Sequence, residues 1–206
     1  MHCLNAAPAA EHNRIGGQID ENEGENMELK ALQDFEFHSK VPEEIIAKYD
    51  GKIPEHFVEI WKSYGFGTFQ QGYFKVISPD DYIEFVRESY FEKNCIPLLA
   101  TALGDIIVWE REKCLCIVFY RYNDFDCLEY GCHFFFDDIF DAYFQENALK
   151  MKNFKEALQL LGSPAYDECY GYVPLLSLGG AEKPENLQKV KLREHLDIMY
   201  QMQGGV

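Results

Sequence analysis

The stretch between residues 97 and 120 constrains this chain most. Three runs rich in β-branched and aromatic residues, 97–103, 106–109 and 114–120, are broken only by Gly104-Asp105 and by the charged residues 110–113. Runs of this composition favour strands, and breaks this short suit an antiparallel meander. A polar turn is expected over 122–126, then a strand over 127–136, then a helix beginning at Asp137, where two acids suit the positive end of the helix dipole.

Upstream, the signals alternate. Pro42 opens a short helix closed by Gly51, and Pro54 opens a second carrying Phe57, Ile60, Trp61 and Tyr64 at helical spacing. Residues 66–69 and 72–77 read as a hairpin. Ser78-Pro79-Asp80-Asp81 is a helix start, with Ser78 as cap and Asp81 completing a box-like pattern. Downstream, Phe154, Leu158 and Leu161 form a stripe ended by Gly162. Residues 173–178 form an apolar run before Gly179-Gly180, and a last helix is expected over 186–203. The fold class this implies is α+β: an antiparallel sheet flanked by helices, followed by a mainly helical C-terminal subdomain. The expected organisation is a flexible acidic arm over 1–34, a first domain over 35–136 and a C-terminal domain over 137–206. In the arm, residues 18–28 carry five acids and no base, too little apolar surface to offset ordering. Met27, near the arm's end, is a candidate start of the folded unit.

Composition excludes several classes. Among 206 residues, 35 acids oppose 19 bases for a net charge of -16, which argues against a direct nucleic-acid binder. An acidic protein that seeks a partner seeks a basic one. No apolar run approaches the roughly 20 residues that span a bilayer, so no membrane role is expected. The seven cysteines are odd in number and irregularly spaced, and the N-terminus lacks the pattern of a secretory signal. Free thiols in a reducing cytoplasm are therefore expected.

Candidate chemistry is sparse. Cys114, Cys116, Cys127, Cys132 and His133 cluster in sequence, but their spacing matches no compact zinc knuckle, and cysteines often fill cores as small hydrophobes. No serine has the glycine-flanked elbow of a hydrolase. Gly65-x-Gly67 lacks the lysine and third glycine of a phosphate loop. No catalytic residue, metal or cofactor is assigned, and the chain is read as a non-enzyme. The acids carry more information. Ten lie between Gly104 and Glu146 against three bases, and Tyr120, Tyr122, Phe125 and Tyr130 interleave them. Carboxylates among exposed aromatics make anchors for a basic protein surface. The candidate partner-binding set is Asp105, Tyr122, Asp124, Asp126, Glu129, Asp137, Asp138 and Asp141. The bland reading of the same residues is a solvated face.

Two groups of motifs carry a family resemblance. The first comprises IPEHFVEIWKSYGFG over 53–67, with Pro54, Trp61, Gly65 and Gly67, then Gly72-Tyr73-Phe74, the helix start at Ser78, and ALGDIIVW over 102–109, with Gly104 and Trp109. The second comprises DECYGYVP over 167–174, with Asp167, Glu168, Tyr170, Gly171 and Pro174, then Gly179-Gly180, and KVKLREHL over 189–196, ending near His195. From Phe35 onward the chain resembles bacterial immunity proteins with a GAD-like domain and a small C-terminal domain, paired with type VI secretion DNase effectors. Leu103 departs from the aromatic residue more usual there, and the acidic arm is an addition. The resemblance implies an antitoxin that binds a cognate toxin in the cytoplasm, with the motif residues building the fold. Toxin contacts must vary between pairs to give specificity, so shared motifs do not locate them. Other readings are a Smi1/Knr4-like immunity protein, to which the 53–67 opening is loosely similar, a scaffold, or a zinc- or thiol-dependent enzyme built on the cysteine cluster. Oligomeric state is left open.

Overall fold

The turns at Gly104-Asp105 and at 111–113 do produce a meander, and it extends beyond the expected strands. The computed structural model describes residues 30–206. Its main sheet has seven strands: β1 (Glu36–Ser39), β2 (Phe66–Phe69), β3 (Phe74–Val76), β4 (Cys95–Thr101), β5 (Ile106–Glu110), β6 (Cys114–Phe119) and β7 (Asp124–Tyr130). They lie side by side in sequence order, every neighbour antiparallel. A second sheet pairs β8 (Glu168–Tyr172) with β9 (Leu187–Lys191). The α+β expectation holds.

Alternate residues of the central strands feed two cores. Ile107, Trp109, Leu115, Ile117 and Phe119 face a large core built with α1 (Glu43–Tyr49), α2 (Glu55–Ser63), the single-turn α4 (Phe135–Asp138) and α5 (Phe154–Leu161). Ile106, Val108, Cys116, Val118 and Tyr120 face a smaller core with α3 (Pro79–Ser89) and α6 (Leu192–Gln203). Both faces are covered, which is why these strands read as continuous apolar runs. The larger core takes residues from both segments divided at 136, including Phe57, Leu149, Phe154 and Tyr170.

Four local expectations need correction. The final helix starts at Leu192; residues 187–191 form β9, whose Val190 and Lys191 pair with Cys169 and Glu168. The strand expected over 127–136 is β7, which begins at Asp124 and ends at Tyr130. Ser78 occupies the cap position of α3, but its side chain makes no capping bond. Instead Asp80, in the first turn, accepts hydrogen bonds from Lys48 Nζ at 2.6 Å and Tyr49 Oη at 2.5 Å, which ties α1 to α3. Finally, order precedes Phe35: Ala31 and Leu32 are buried, and the Asp34 carboxylate accepts the amides of Gln70 and Gln71 at 2.9 and 2.6 Å. Met27 and the acidic run lie outside the described residues.

Candidate functional site

Residues from both motif groups, Gly104 and Asp105 from the first and Gly171 and His195 from the second, meet where the meander joins the β8–β9 hairpin and α6. At the turn after β4, Thr101 Oγ1 accepts the amides of Leu103 and Asp105, which aims the Asp105 side chain inward. There it meets Arg121, one residue beyond Tyr120, in an ion pair of 3.1 Å with almost no exposure on either side. Arg121 also donates to the Lys150 carbonyl at 2.8 Å, and its guanidinium lies 4.6 Å from the Tyr122 ring centre. Burial raises the Asp105 carboxyl to about 6, with Arg121 and Thr101 opposing the rise.

His195, on α6, occupies the space that two glycines leave. A Cβ on Gly171 would lie 2.5 Å from His195 Cε1, and one on Gly104 would lie 3.6 Å from its Cδ2. Any larger residue at 171 would collide with the ring. Burial pushes the imidazole down to about 4, so it is neutral at pH 7. Tyr170 joins the two sheets, its amide donating to the Ala102 carbonyl at 2.7 Å and its hydroxyl to the Gly162 carbonyl at 2.7 Å. Asp167 and Glu168 hold Lys191 at 2.7 and 3.4 Å. Pro174, Gly179 and Gly180 lie in the link between β8 and β9, Pro54 and Trp61 belong to α2 or its cap, Gly65 and Gly67 bracket the start of β2, and Trp109 is in β5. The space among Arg121, Tyr172, Leu176, His195 and Gln203 holds no water-sized volume. This region is a joint.

The candidate surface for a partner is the β7 edge. This strand is the last of its sheet, and no described strand pairs with its outer side. Such an edge offers unpaired backbone groups to another chain. Phe125 is 45% exposed and packs 4.9 Å from Phe91, itself 52% exposed. Tyr130 and Phe134 are exposed at the strand's far end.

The candidate acids divide around this edge. Asp126 is exposed and caps only its neighbour's amide. Asp124 is exposed and pairs with Lys150 at 2.9 Å. Asp141 is exposed but accepts the Phe144 amide, and Asp137 and Asp138 are half-buried in α4. Glu129 accepts the amides of His133 and Phe134 and so shapes the turn before α4. Tyr122 is half-buried and donates to Glu182. Asp105 requires correction as a surface contact: it is enclosed and committed to Arg121.

The cysteine cluster also divides. Cys114, Cys116 and Cys127 come together across β6 and β7, but Cys132 is buried in the opposite core and His133 is exposed beyond it. Among the described residues, no group of three or more His, Cys, Asp or Glu is arranged to hold a metal ion, so the five residues do not form one zinc site. No helix among the described residues is long and apolar enough to cross a membrane.

Comparison with known families yields two matches. Residues 25–120 match the GAD-like domain, and residues 130–203 match the family described as T6SS immunity protein Tdi1, C-terminal. These matches support a T6SS immunity family. The crystal structure of Atu4351 from Agrobacterium tumefaciens is 22% identical, with 85% of this chain and 88% of that one covered and a TM-score of 0.66, and it shares the fold. A comparison with curated proteins finds no match.

Set beside these two matches, the division between joint and edge is informative. The joint unites motifs from both matched regions: Gly104 and Asp105 from the first, Gly171 and His195 from the second. The residues that reasoning from sequence missed are Arg121, Phe91 and Phe134. Arg121 directly follows a solid apolar strand, the one local sign that a buried counter-charge was needed.

Proposed function

We propose that this chain neutralises a cognate type VI effector by binding it along the β7 edge, and that the effector is a basic DNase whose active site or DNA groove is blocked. The observation that carries the reading is the T6SS immunity match over residues 130–203, beside an edge strand that displays Phe125 on one face and Asp124 and Asp126 on the other. Free strand edges add backbone pairing, aromatic side chains supply desolvated anchors, and acids supply attraction to a basic face. The net charge of -16 favours such a partner. Full protection calls for a dissociation constant near 1 nM, about 12 kcal/mol, which needs anchors as well as long-range attraction. An immunity role suggests stoichiometric inhibition without catalysis, carried out in the cytoplasm. The 53–67 opening that resembles the Smi1/Knr4 class lies inside the GAD-like match.

The test is co-expression with the effector encoded beside this gene. Restored growth, with DNA cleavage by the purified effector suppressed at an equimolar ratio, supports the proposal. An effector that kills equally well in the presence of this chain overturns it. Neutralisation of an effector that does not cut DNA would remove the DNase part alone.

A further inference from the structure

Three thiols meet at the exposed margin of the sheet. Cys116 on β6 and Cys127 on β7 are direct cross-strand partners, and Cys114 lies on the same face of β6 two residues earlier. Cys127 is exposed, Cys114 half-buried and Cys116 buried. Directly opposed residues on antiparallel strands have Cα atoms about 4.5–5.5 Å apart, within the roughly 4.4–6.8 Å that a disulfide spans. The cysteines of the other strands lack this geometry, since Cys95 pairs with Glu110 and Cys169 with Val190.

The three sulfurs also differ in proton affinity. Hydrogen bonds from the Cys116 and Cys114 thiols bring Cys127 down to about 7, against the opposing effects of burial and of Asp126 and Glu110. Burial pushes Cys114 up to about 11, and the hydrogen bond to Cys127 together with burial raises Cys116 further. The exposed member is therefore the thiol that ionises first, and its two neighbours are the ones that stay protonated. Solvent-accessible thiolates beside a second thiol are the sulfurs most readily oxidised in a reversible way.

We infer that Cys127 is an oxidation-sensitive site with Cys116 as its resolving partner, and that hydrogen peroxide closes a disulfide between them across β6 and β7. The Cys127 thiolate attacks one peroxide oxygen, the O–O bond breaks, and hydroxide leaves with the electron pair. Sulfur is thereby oxidised to the sulfenic acid, and hydroxide takes up the proton released when Cys127 ionised. The Cys116 sulfur then attacks the Cys127 sulfur, the S–O bond breaks, and the thiol proton leaves with the hydroxyl as water. One dithiol and one peroxide give one disulfide and two waters. An uncharged oxidant suits the site, because Asp126 and Glu110 repel an anionic one such as glutathione disulfide.

Peptide mass spectrometry of the purified full chain tests this without any effector, so its outcome is independent of the proposed immunity role. At pH 7, iodoacetamide should modify Cys127 at least about tenfold faster than Cys114. Stoichiometric hydrogen peroxide should yield a Cys116–Cys127 cross-linked peptide that a thiol reductant removes. Cys127→Ser, at an exposed position, should abolish the cross-link. The C114S/C116S double variant should leave a sulfenic acid on Cys127 that dimedone traps. A cross-link formed mainly between other cysteines, or a Cys127 no more reactive than Cys114, overturns the inference.

Discussion

Asp105 and Arg121 sit at alternate turns of the meander, β4–β5 and β6–β7, on the same end of the sheet, and meet at 3.1 Å in the protein interior. Neither charge is satisfied by solvent, so each depends on the other. Removing one partner of a buried pair costs about 3–5 kcal/mol, whereas replacing both with apolar residues is often neutral or stabilising. Asp105→Asn should therefore lower the urea midpoint sharply, and the D105L/R121M double substitution should recover most of the loss. A D105N chain as stable as the parent would show that the pair is not the keystone of the joint.

Gly171 and His195 make a steric prediction at the same joint. A Cβ at 171 would fall 2.5 Å from His195 Cε1 and 2.8 Å from Val190 Cγ2. Overpacking of this kind costs roughly 1–3 kcal/mol. Gly171→Ala should lose that much in chemical denaturation, and His195→Ala in the same chain should return part of it through a favourable coupling. Strictly additive losses would mean that the ring does not set the tolerance at 171.

His195 also predicts a pH dependence. Its folded value is lowered by burial to about 4 from an ordinary 6.5. The unfolded chain thus binds the proton more readily between these values, so stability rises with pH across that window. The contribution is fully present above about 6.5 and is lost as pH falls toward 4, about 3 kcal/mol in all. Asp105, raised by burial, works in the opposite direction over part of the range. Comparison of the parent with His195→Gln isolates the imidazole: the variant should show a flatter decline between pH 6.5 and 4 in urea titrations. Parallel curves would refute the assignment.

Much of this fold was legible in the sequence where burial is symmetric. β5 and β6 are covered on both sides, so their apolar runs stand out with clear breaks. The start of β7 is masked in the sequence because Asp124 and Asp126 face solvent on an edge strand and resemble a polar turn. β9 reads as helix in the sequence because Leu187 and Val190 fit a helical period as well as a strand, and only pairing with β8 decides. The candidate face was legible as a density of acids and aromatics. Asp105 counts toward that face in the sequence although it is buried, because its partner is sixteen positions away and charge counts do not show which acids fold inward.

The β7 edge separates two contributions to effector binding. Phe125 and Phe91 form an exposed aromatic pair, the kind of anchor whose truncation costs about 2 kcal/mol or more, roughly thirtyfold in affinity. Phe125→Ala should therefore raise the dissociation rate of the effector complex and weaken protection in co-expressing cells. Unchanged protection would move the interface to another surface.

The acids act at longer range. Asp124 and Asp126 are exposed on β7, whereas Glu129 holds the turn before α4 and would disturb the fold if removed. The informative variant is thus D124N/D126N, which keeps shape and leaves Glu129 in place. Screening shortens the Debye length to about 8 Å at physiological ionic strength, so attraction between the acidic face and a basic effector should fade as salt rises. Stopped-flow association should slow markedly from low to physiological salt for the parent and less for the variant, with dissociation little changed. An association rate indifferent to salt would remove electrostatic steering and leave the aromatic edge to account for recognition alone.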